Sequence, residues 1–178
     1  TNEQGFIPVN KQMRTKQSGV YAIGDIVGQP MLAHKAYLEA KIAAEVIAGH
    51  SVSFDVQSVP GVMFTDPEIA SVGLTVAQAE EAGYQVKTGI FPWKTSGRAM
   101  SLNVTDGITK IVSDAKTTKI LGVHIAGPHA SELIAEGVLA LEVGAFLKHI
   151  AYSIHPHPTL SETMMEAAEH ALGVCTHI

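Results

Sequence analysis

Two runs near the middle of the chain, Ile108 to Ser113 and Ile120 to Ala126, alternate apolar and polar residues across a polar stretch, Asp114 to Lys119. Period-two alternation buries one face of a strand, and a short polar connection joins the two strands as an antiparallel hairpin. Beyond Ala126 the pattern turns helical. From Ser131 one long helix is expected, ending near Lys148 and His149. Leu133, Ile134, Val138, Leu141 and Ala145 lie on one side of it and Leu139, Val143, Phe146 and Leu147 on others, interrupted only by Glu136 and Glu142. A helix apolar on several sides is buried in a core or at a subunit contact. Upstream, Val59 to Phe64 and Ile69 to Val72 read as strands flanking a turn at Thr65 to Glu68. Thr75 and Gln78 form a capping-box pattern for a short helix that stops at Gly83. Tyr84 to Trp93 is a further strand and Lys94 to Ala99 a loop. Strands followed by helices make residues 57–178 an α+β domain, an antiparallel β-sheet with helices on one face.

Residues 1–56 are organised differently. Gln4 to Asn10 and Ser18 to Ala22 show short strand-like alternation, and Val20 to Asp25 reads as a buried strand ending in a glycine and an acid. Strand ends followed by helices are where open α/β sheets bind ligands; Gly24 and Asp25 equally suit a plain turn. Pro30 to Ala36 opens a helix running to about Ala48, with Gly49 in the terminating position. Ala36, Ala40, Ala43, Ala44 and Ile47 offer it a narrow packing face of small residues. Its free N–H groups and positive dipole end, at Met31 to His34, favour negative charge beside them. The polar connection from Ser51 to Pro60 places a domain boundary near Gln57.

Chemistry concentrates in His155 to Glu162, where two imidazoles, two prolines and a carboxylate fall within eight residues before a helix-like run, Thr163 to Leu172. Pro156 and Pro158 fix their own φ angles and bias His155 and His157 towards extended backbone. Glu162 lies five residues beyond His157, near enough for a turning chain to return its carboxylate to the imidazole, the usual construction of a base working near neutral pH. Thr159 and Glu162 also fit a capping box. His155 and His157, two apart on extended chain, could point the same way and hold a metal. All three readings are compatible with the spacing.

Composition narrows the classes. With 178 residues, 46% of them hydrophobic, the chain can bury one sizeable core or parts of two. A net charge of −5 without a basic block argues against a nucleic-acid surface. No uncharged apolar run is long enough to span a bilayer, and no signal peptide is expected ahead of the polar start, Thr1 to Gly5. Cys175 is the single cysteine, so no disulfide forms within the chain, which suits a reducing, cytoplasmic setting.

The segment His155 to Glu162 resembles the C-terminal active-site signature of the dihydrolipoamide dehydrogenase family, which are flavoprotein disulfide reductases. Tyr21 to Asp25 followed by Met31 to Ala36 resembles that family's second FAD-binding segment. Phe64 to Glu68, Ser71 to Thr75 and Gly97 to Ala99 are similar to its interface domain, in the same order. The resemblance implies that His157 is the acid–base group for dihydrolipoamide thiols and that Glu162 orients it. It implies that Asp25 bonds the ribityl chain of FAD, and that Met31, Leu32, Ala33 and His34 lie against the isoalloxazine. His34 could otherwise be read as a ligand or a second base; no metal is expected. The family more often has alanine where Pro156 stands, which stiffens the approach to His157.

On this resemblance residues 1–56 are the end of an α/β FAD-binding domain, a strand–helix portion, and residues 57–178 an interface domain that forms a homodimer. There the C-terminal histidine serves the disulfide and flavin of the other subunit. Lipoyl domains of 2-oxoacid dehydrogenase complexes are the implied partners, with NAD as the electron acceptor. Neither the redox cysteine pair nor a Gly-x-Gly-x-x-Gly fingerprint occurs in these residues, so the NAD site and most of the FAD site are expected outside the chain. Alone the chain is expected to be inactive. Glutathione reductase shares a His-Pro-Thr segment but not the second histidine with Leu-Ser-Glu, and mercuric reductase would carry a C-terminal cysteine pair. A non-catalytic dimerisation module remains the alternative of a different class.

Overall fold

A computed structural model describes residues 1–178, which divide into two compact units, Thr1–Val59 and Pro60–Ile178.

In the second unit five antiparallel strands form one sheet in the order β1-β2-β5-β4-β3: β1 Gly61–Met63, β2 Ile69–Gly73, β3 Val86–Pro92, β4 Ile108–Asp114 and β5 Ile120–Ala126. The hairpin read from the sequence is its centre, with Ile111 opposite Val123 and Ile108 opposite Ala126. Three helices cover it: α2 Val76–Glu81, α4 Ala130–Glu142 and α6 Glu162–Leu172, while α3 Gly97–Leu102 and α5 Leu147–Ala151 are short connecting turns of helix. The main core joins Ile111, Val123 and Ile125 of the sheet to Ile134 and Ala140 of α4 and to Met164, Ala167 and Ala171 of α6. On the opposite face α2 shields Val112 and Leu121 with Ala79, so one short helix lies outside the one-sided arrangement. It carries the expected capping box between Thr75 and Gln78.

Two expectations change here. Lys94 to Ala99 is not a plain loop: a 3-10 turn at Trp93–Thr95 runs into α3, whose first turn is capped by the Ser96 hydroxyl accepting from the Ala99 N–H. The long helix from Ser131 is two helices. Gly144, at φ 63°, takes up a left-handed conformation, and Ala145 N–H returns to the Ala140 carbonyl at 2.8 Å, a glycine-centred stop that side-chain periodicity does not report. The chain then pairs Phe146 with Lys119 before α5 begins. Leu139 and Val143, on the outer side of this region, are 64% and 68% exposed.

Helix α4 has no cap of its own, because its N-cap residue His129 makes no side-chain bond to the helix. Glu68 supplies the cap from the turn before β2: its Oε2 accepts the Ser131 N–H at 3.0 Å, and its carbonyl accepts Gly127 N–H at 2.9 Å. That bond to Ser131 holds the Glu68 carboxyl below the ordinary carboxylate range.

The placement of α6 rests on two local features. It crosses β3 and β4 closely at Gly89, where a Cβ would stand 1.8 Å from the Ala167 carbonyl oxygen. Its first turn is tied to the sheet by a file of buried polar groups. The Trp93 indole N–H donates to Thr109 Oγ1 (2.9 Å), Thr109 and Thr163 hydroxyls meet at 2.8 Å, and Thr163 donates to the Leu160 carbonyl at 2.7 Å. An indole can only donate and a carbonyl only accept, so Thr109 must be the donor to Thr163. Trp93, Thr109 and Thr163 are fully buried. Trp93 itself fits because Gly107 and Gly127 leave room for its ring: a Cβ on either would come within 2.3 Å and 2.5 Å of it.

The first unit departs further from its expected pattern. Neither Gln4 to Asn10 nor Ser18 to Ala22 forms a ladder; a single bridge pairs Arg14 with Tyr21. Val20 to Asp25 is not a buried strand, since Val20 and Ile23 are 48% and 38% exposed and Gly24–Val27 is a 3-10 turn. A strand needs partners on its edges, and one bridge does not make a sheet. Helix α1 spans Ala33–Ile47, with Gly49 beyond its end as expected. Its buried face takes in only part of the alanine stripe, Ala43 fully and Ala36 and Ala40 half-buried. Lys35, Glu39, Ile42, Ala43 and Val46 point inward, whereas Ala44 and Ile47 are exposed. Charge pairing overrides the apolar pattern: Lys35 and Glu39 bond at 2.7 Å, one turn apart, and so can be buried together.

Two substitutions test this packing by chemical denaturation. Gly89→Ala should cost about 3 kcal/mol or more, because backbone on both sides must move, while Gly61→Ala, with open space around it, should change stability by about 0.5 kcal/mol or less. Thr109→Val keeps the shape but strands the Trp93 N–H without an acceptor, and should cost about 2 kcal/mol or more.

Candidate functional site

Leu160, the end point of the buried hydroxyl file, sits inside the His155 to Glu162 segment and is itself 8% exposed. From that anchor the chain turns into α6, and Glu162 becomes the helix's first residue. Its two carboxylate oxygens face different partners. Oε2 accepts the Thr159 N–H at 2.6 Å and Oε1 accepts from His157 Nδ1 at 2.8 Å. The cap and the imidazole–carboxylate pair therefore coexist. Only the glutamate half of a capping box forms, because the Thr159 hydroxyl donates to the Pro156 carbonyl at 2.7 Å and Ser161 occupies the N-cap position.

A carboxylate on Nδ1 makes that nitrogen the donor, which leaves Nε2 of a neutral His157 as the basic atom. The His157 side chain is 77% exposed and Glu162 19%. The ring borders a cavity also lined by Phe91, Ser96, Gly97, Met100, Glu166 and His177. The arrangement can take a proton from, and return it to, a group entering that cavity, with Glu162 stabilising the charged ring.

His155 does not join His157 in a shared metal site. Its Nε2 bonds Glu136 Oε1 at 3.0 Å and its Nδ1 bonds the Ser153 carbonyl at 2.9 Å, so the two imidazoles turn to different carboxylates.

A further histidine–carboxylate contact lies one helical turn along α6 from Glu162. Glu166, buried, bonds His177 Nδ1 through one oxygen and accepts from the Cys175 thiol at 3.0 Å through the other. Burial, and then the bond to Glu166, push the Cys175 thiol above its usual range. Burial likewise raises Glu169, with the Glu166 charge adding to it. Spacing gave no signal for this group, because Glu166 and His177 are eleven residues apart across the end of a helix.

In the first unit, Asp25 lies in the 3-10 turn Gly24–Val27, and Met31, Leu32, Ala33 and His34 mark the start of α1. Gly24, at φ 78°, gives its N–H to Glu39 Oε2 at 2.7 Å, and Lys35 Nζ lies 3.4 Å from the Gly28 carbonyl. The buried Lys35–Glu39 pair thus clips the Asp25 turn to α1. Sequence reading missed both residues; their i,i+4 spacing was the available signal. Leu32 provides no side-chain cap, Met31 is 45% exposed, and Ala33 and His34 are exposed.

The thiolate is the reactive form of cysteine, so alkylation of Cys175 should rise with pH only above the ordinary cysteine range. Glu166→Gln should shift that profile downward; an unchanged profile in iodoacetamide kinetics would exclude the Glu166 contact.

Known proteins resemble this chain in sequence and fold. Residues 59–168 match the family model of the pyridine nucleotide-disulphide oxidoreductase dimerisation domain, and residues 1–40 match that of pyridine nucleotide-disulphide oxidoreductase. The chain is 53% identical to a dihydrolipoyl dehydrogenase of Thermus scotoductus over 99% of its own length and 38% of that protein's. It is 50% identical to one from Haloferax volcanii, covering 99% of this chain and 37% of the relative. It therefore spans well under half the length of these relatives. Among solved structures, LpdA from Mycobacterium tuberculosis superposes with a TM-score of 0.85 at 30% identity, over 92% of this chain and 36% of that one. The HOCl-induced flavoprotein disulfide reductase RclA from Escherichia coli gives 0.85 at 27% identity, over 92% and 38%. With the larger unit matched along most of its length by that dimerisation-domain model, the chain belongs to the pyridine nucleotide-disulphide oxidoreductase family.

Proposed function

We propose that the chain is the C-terminal part of a dihydrolipoyl dehydrogenase, in which His157 is the acid–base group for a dithiol substrate and Glu162 its orienting carboxylate. The observation that carries this reading is the 2.8 Å bond from His157 Nδ1 to Glu162 Oε1, with the imidazole exposed at a cavity. The names and identities of the relatives support it. On this reading His157 Nε2 takes the proton of a dihydrolipoamide thiol, and the resulting thiolate attacks a disulfide carried elsewhere in the protein. Glu162 stabilises the imidazolium formed in that step and holds the ring in the tautomer needed to accept the next proton.

FAD, when bound, would carry two electrons from the dithiol to NAD. Asp25 would hold its ribityl chain, and Met31, Leu32, Ala33 and His34 would lie against the ring. The exposed start of α1, without a side-chain cap, and the Asp25 turn fixed by Glu39 fit that task. Residues 57–178 would form a homodimer; Phe64, Tyr152 and Ile154, exposed by 80%, 76% and 100%, are apolar surface suited to a partner subunit. Lipoyl domains would be the macromolecular substrate, and a reducing cytoplasm, which suits the free Cys175, the setting. No helix is long and apolar enough to cross a membrane.

In a full-length protein carrying this segment, His157→Ala should lower lipoamide turnover by about 100-fold or more while FAD binding, read from flavin absorbance, is retained. Near-normal turnover would remove His157 from the mechanism.

A further inference from the structure

His157 presents a positioning problem. Its ring is 77% exposed, so the bond to Glu162 is the hydrogen bond that must set its working orientation. An acid–base group must be held close to its productive geometry, and an exposed side chain on a loop is poorly held. The backbone that carries it is also at the surface. From Tyr152 to Pro158 every residue is exposed except His155.

His155 is the exception in a specific way. Its side chain is 7% exposed, and both ring nitrogens face oxygen acceptors, Ser153 O at 2.9 Å and Glu136 Oε1 at 3.0 Å. Glu136 stands midway along α4, nineteen residues earlier, with its side chain 31% exposed. An apolar side chain would anchor a loop at lower desolvation cost than an imidazole against a carboxylate. A neutral ring donates to one of these acceptors and a doubly protonated ring to both; such directional bonding adds a fixed ring plane, and with it a fixed direction for the chain that leaves it. Pro156 follows at once with its own φ locked, and its carbonyl is held from the far side by the Thr159 hydroxyl at 2.7 Å. Few soft torsions separate the clamped ring from His157.

We propose that Glu136 and His155 are a positioning pair for His157: the α4 carboxylate fixes the buried imidazole, which sets the path of the Pro156 to Pro158 turn and so the orientation of the exposed imidazole against Glu162. The inference deepens the acid–base reading of His157 and rests on it.

The test has two arms. In the 178-residue chain, nitrogen–proton correlation spectra report the tautomer of His157, assigned by its loss in His157→Gln. The unaltered chain should show one fixed tautomer with hydrogen on Nδ1. His155→Gln, whose amide can still reach Glu136, should retain it. Glu136→Leu and His155→Asn, which break that contact, should lose the single-tautomer signature while the Trp93 indole resonance reports an intact core. In a full-length protein with lipoamide turnover, Glu136→Leu should lower kcat about tenfold with KM little changed, and His155→Gln should restore most of the activity lost in His155→Asn. An unaltered His157 signature in both contact-breaking variants overturns the proposal. So does a lost signature with unchanged kcat in a protein that His157→Ala inactivates. If His157→Ala is itself active, the acid–base reading fails, and the spectra still decide whether the pair orients the ring.

Discussion

The file of buried donors and acceptors from Trp93 through Thr109 and Thr163 to Leu160 holds this fold and its site together. It runs from the end of β3 across β4 into the first turn of α6, and its two inner members, Thr109 and Thr163, each have one partner on each side. Such a chain has a direction, because the indole can only give and the last carbonyl only receive. Buried networks of this kind stabilise a structure when complete and penalise it heavily when broken. The consequence for the site is positional. Leu160 is fixed by the sheet, so the residues around it inherit coordinates from the core instead of from a free loop.

Around that anchor the segment is over-determined by short polar contacts. Glu162 serves Thr159 with one oxygen and His157 with the other, while Thr159 also ties back to Pro156. His155 faces an oxygen acceptor at each ring nitrogen. The exposed imidazole is the least constrained member of a well-constrained neighbourhood. That is a reasonable design for a proton carrier, which needs one open nitrogen and a fixed ring.

The sequence made some of this legible and concealed the rest for identifiable reasons. Strand alternation located the β4–β5 hairpin, and a spacing of five residues placed Glu162 within reach of His157. Motif order along the chain pointed to the family. Pattern reading failed where the deciding interaction was a backbone conformation or a partner distant in sequence. Gly144 stops α4 through a left-handed turn inside a mostly apolar run, so periodicity continued past the true end. The alanine stripe of α1 looked like its whole packing face, but only part of it turns inward, beside a buried Lys35–Glu39 pair. The extended runs before Asp25 had strand character without a neighbour to pair with. The partnership of Glu136 with His155 spans nineteen residues and two elements, beyond the reach of any local rule.

The cap on α4 comes from Glu68, on the far side of β2, β3, β4 and β5 in sequence, sixty-three residues before Ser131. The Ala130 and Glu132 N–H groups of its first turn find the nearby Gly127 and His129 carbonyls, whereas the Ser131 N–H between them is satisfied only by the turn before β2. The start of helix α4 is therefore tied to the turn before β2 by a contact that no neighbouring segment supplies. Glu136 is carried midway along that helix, so the Glu68 turn and the clamp on His155 act on one and the same element.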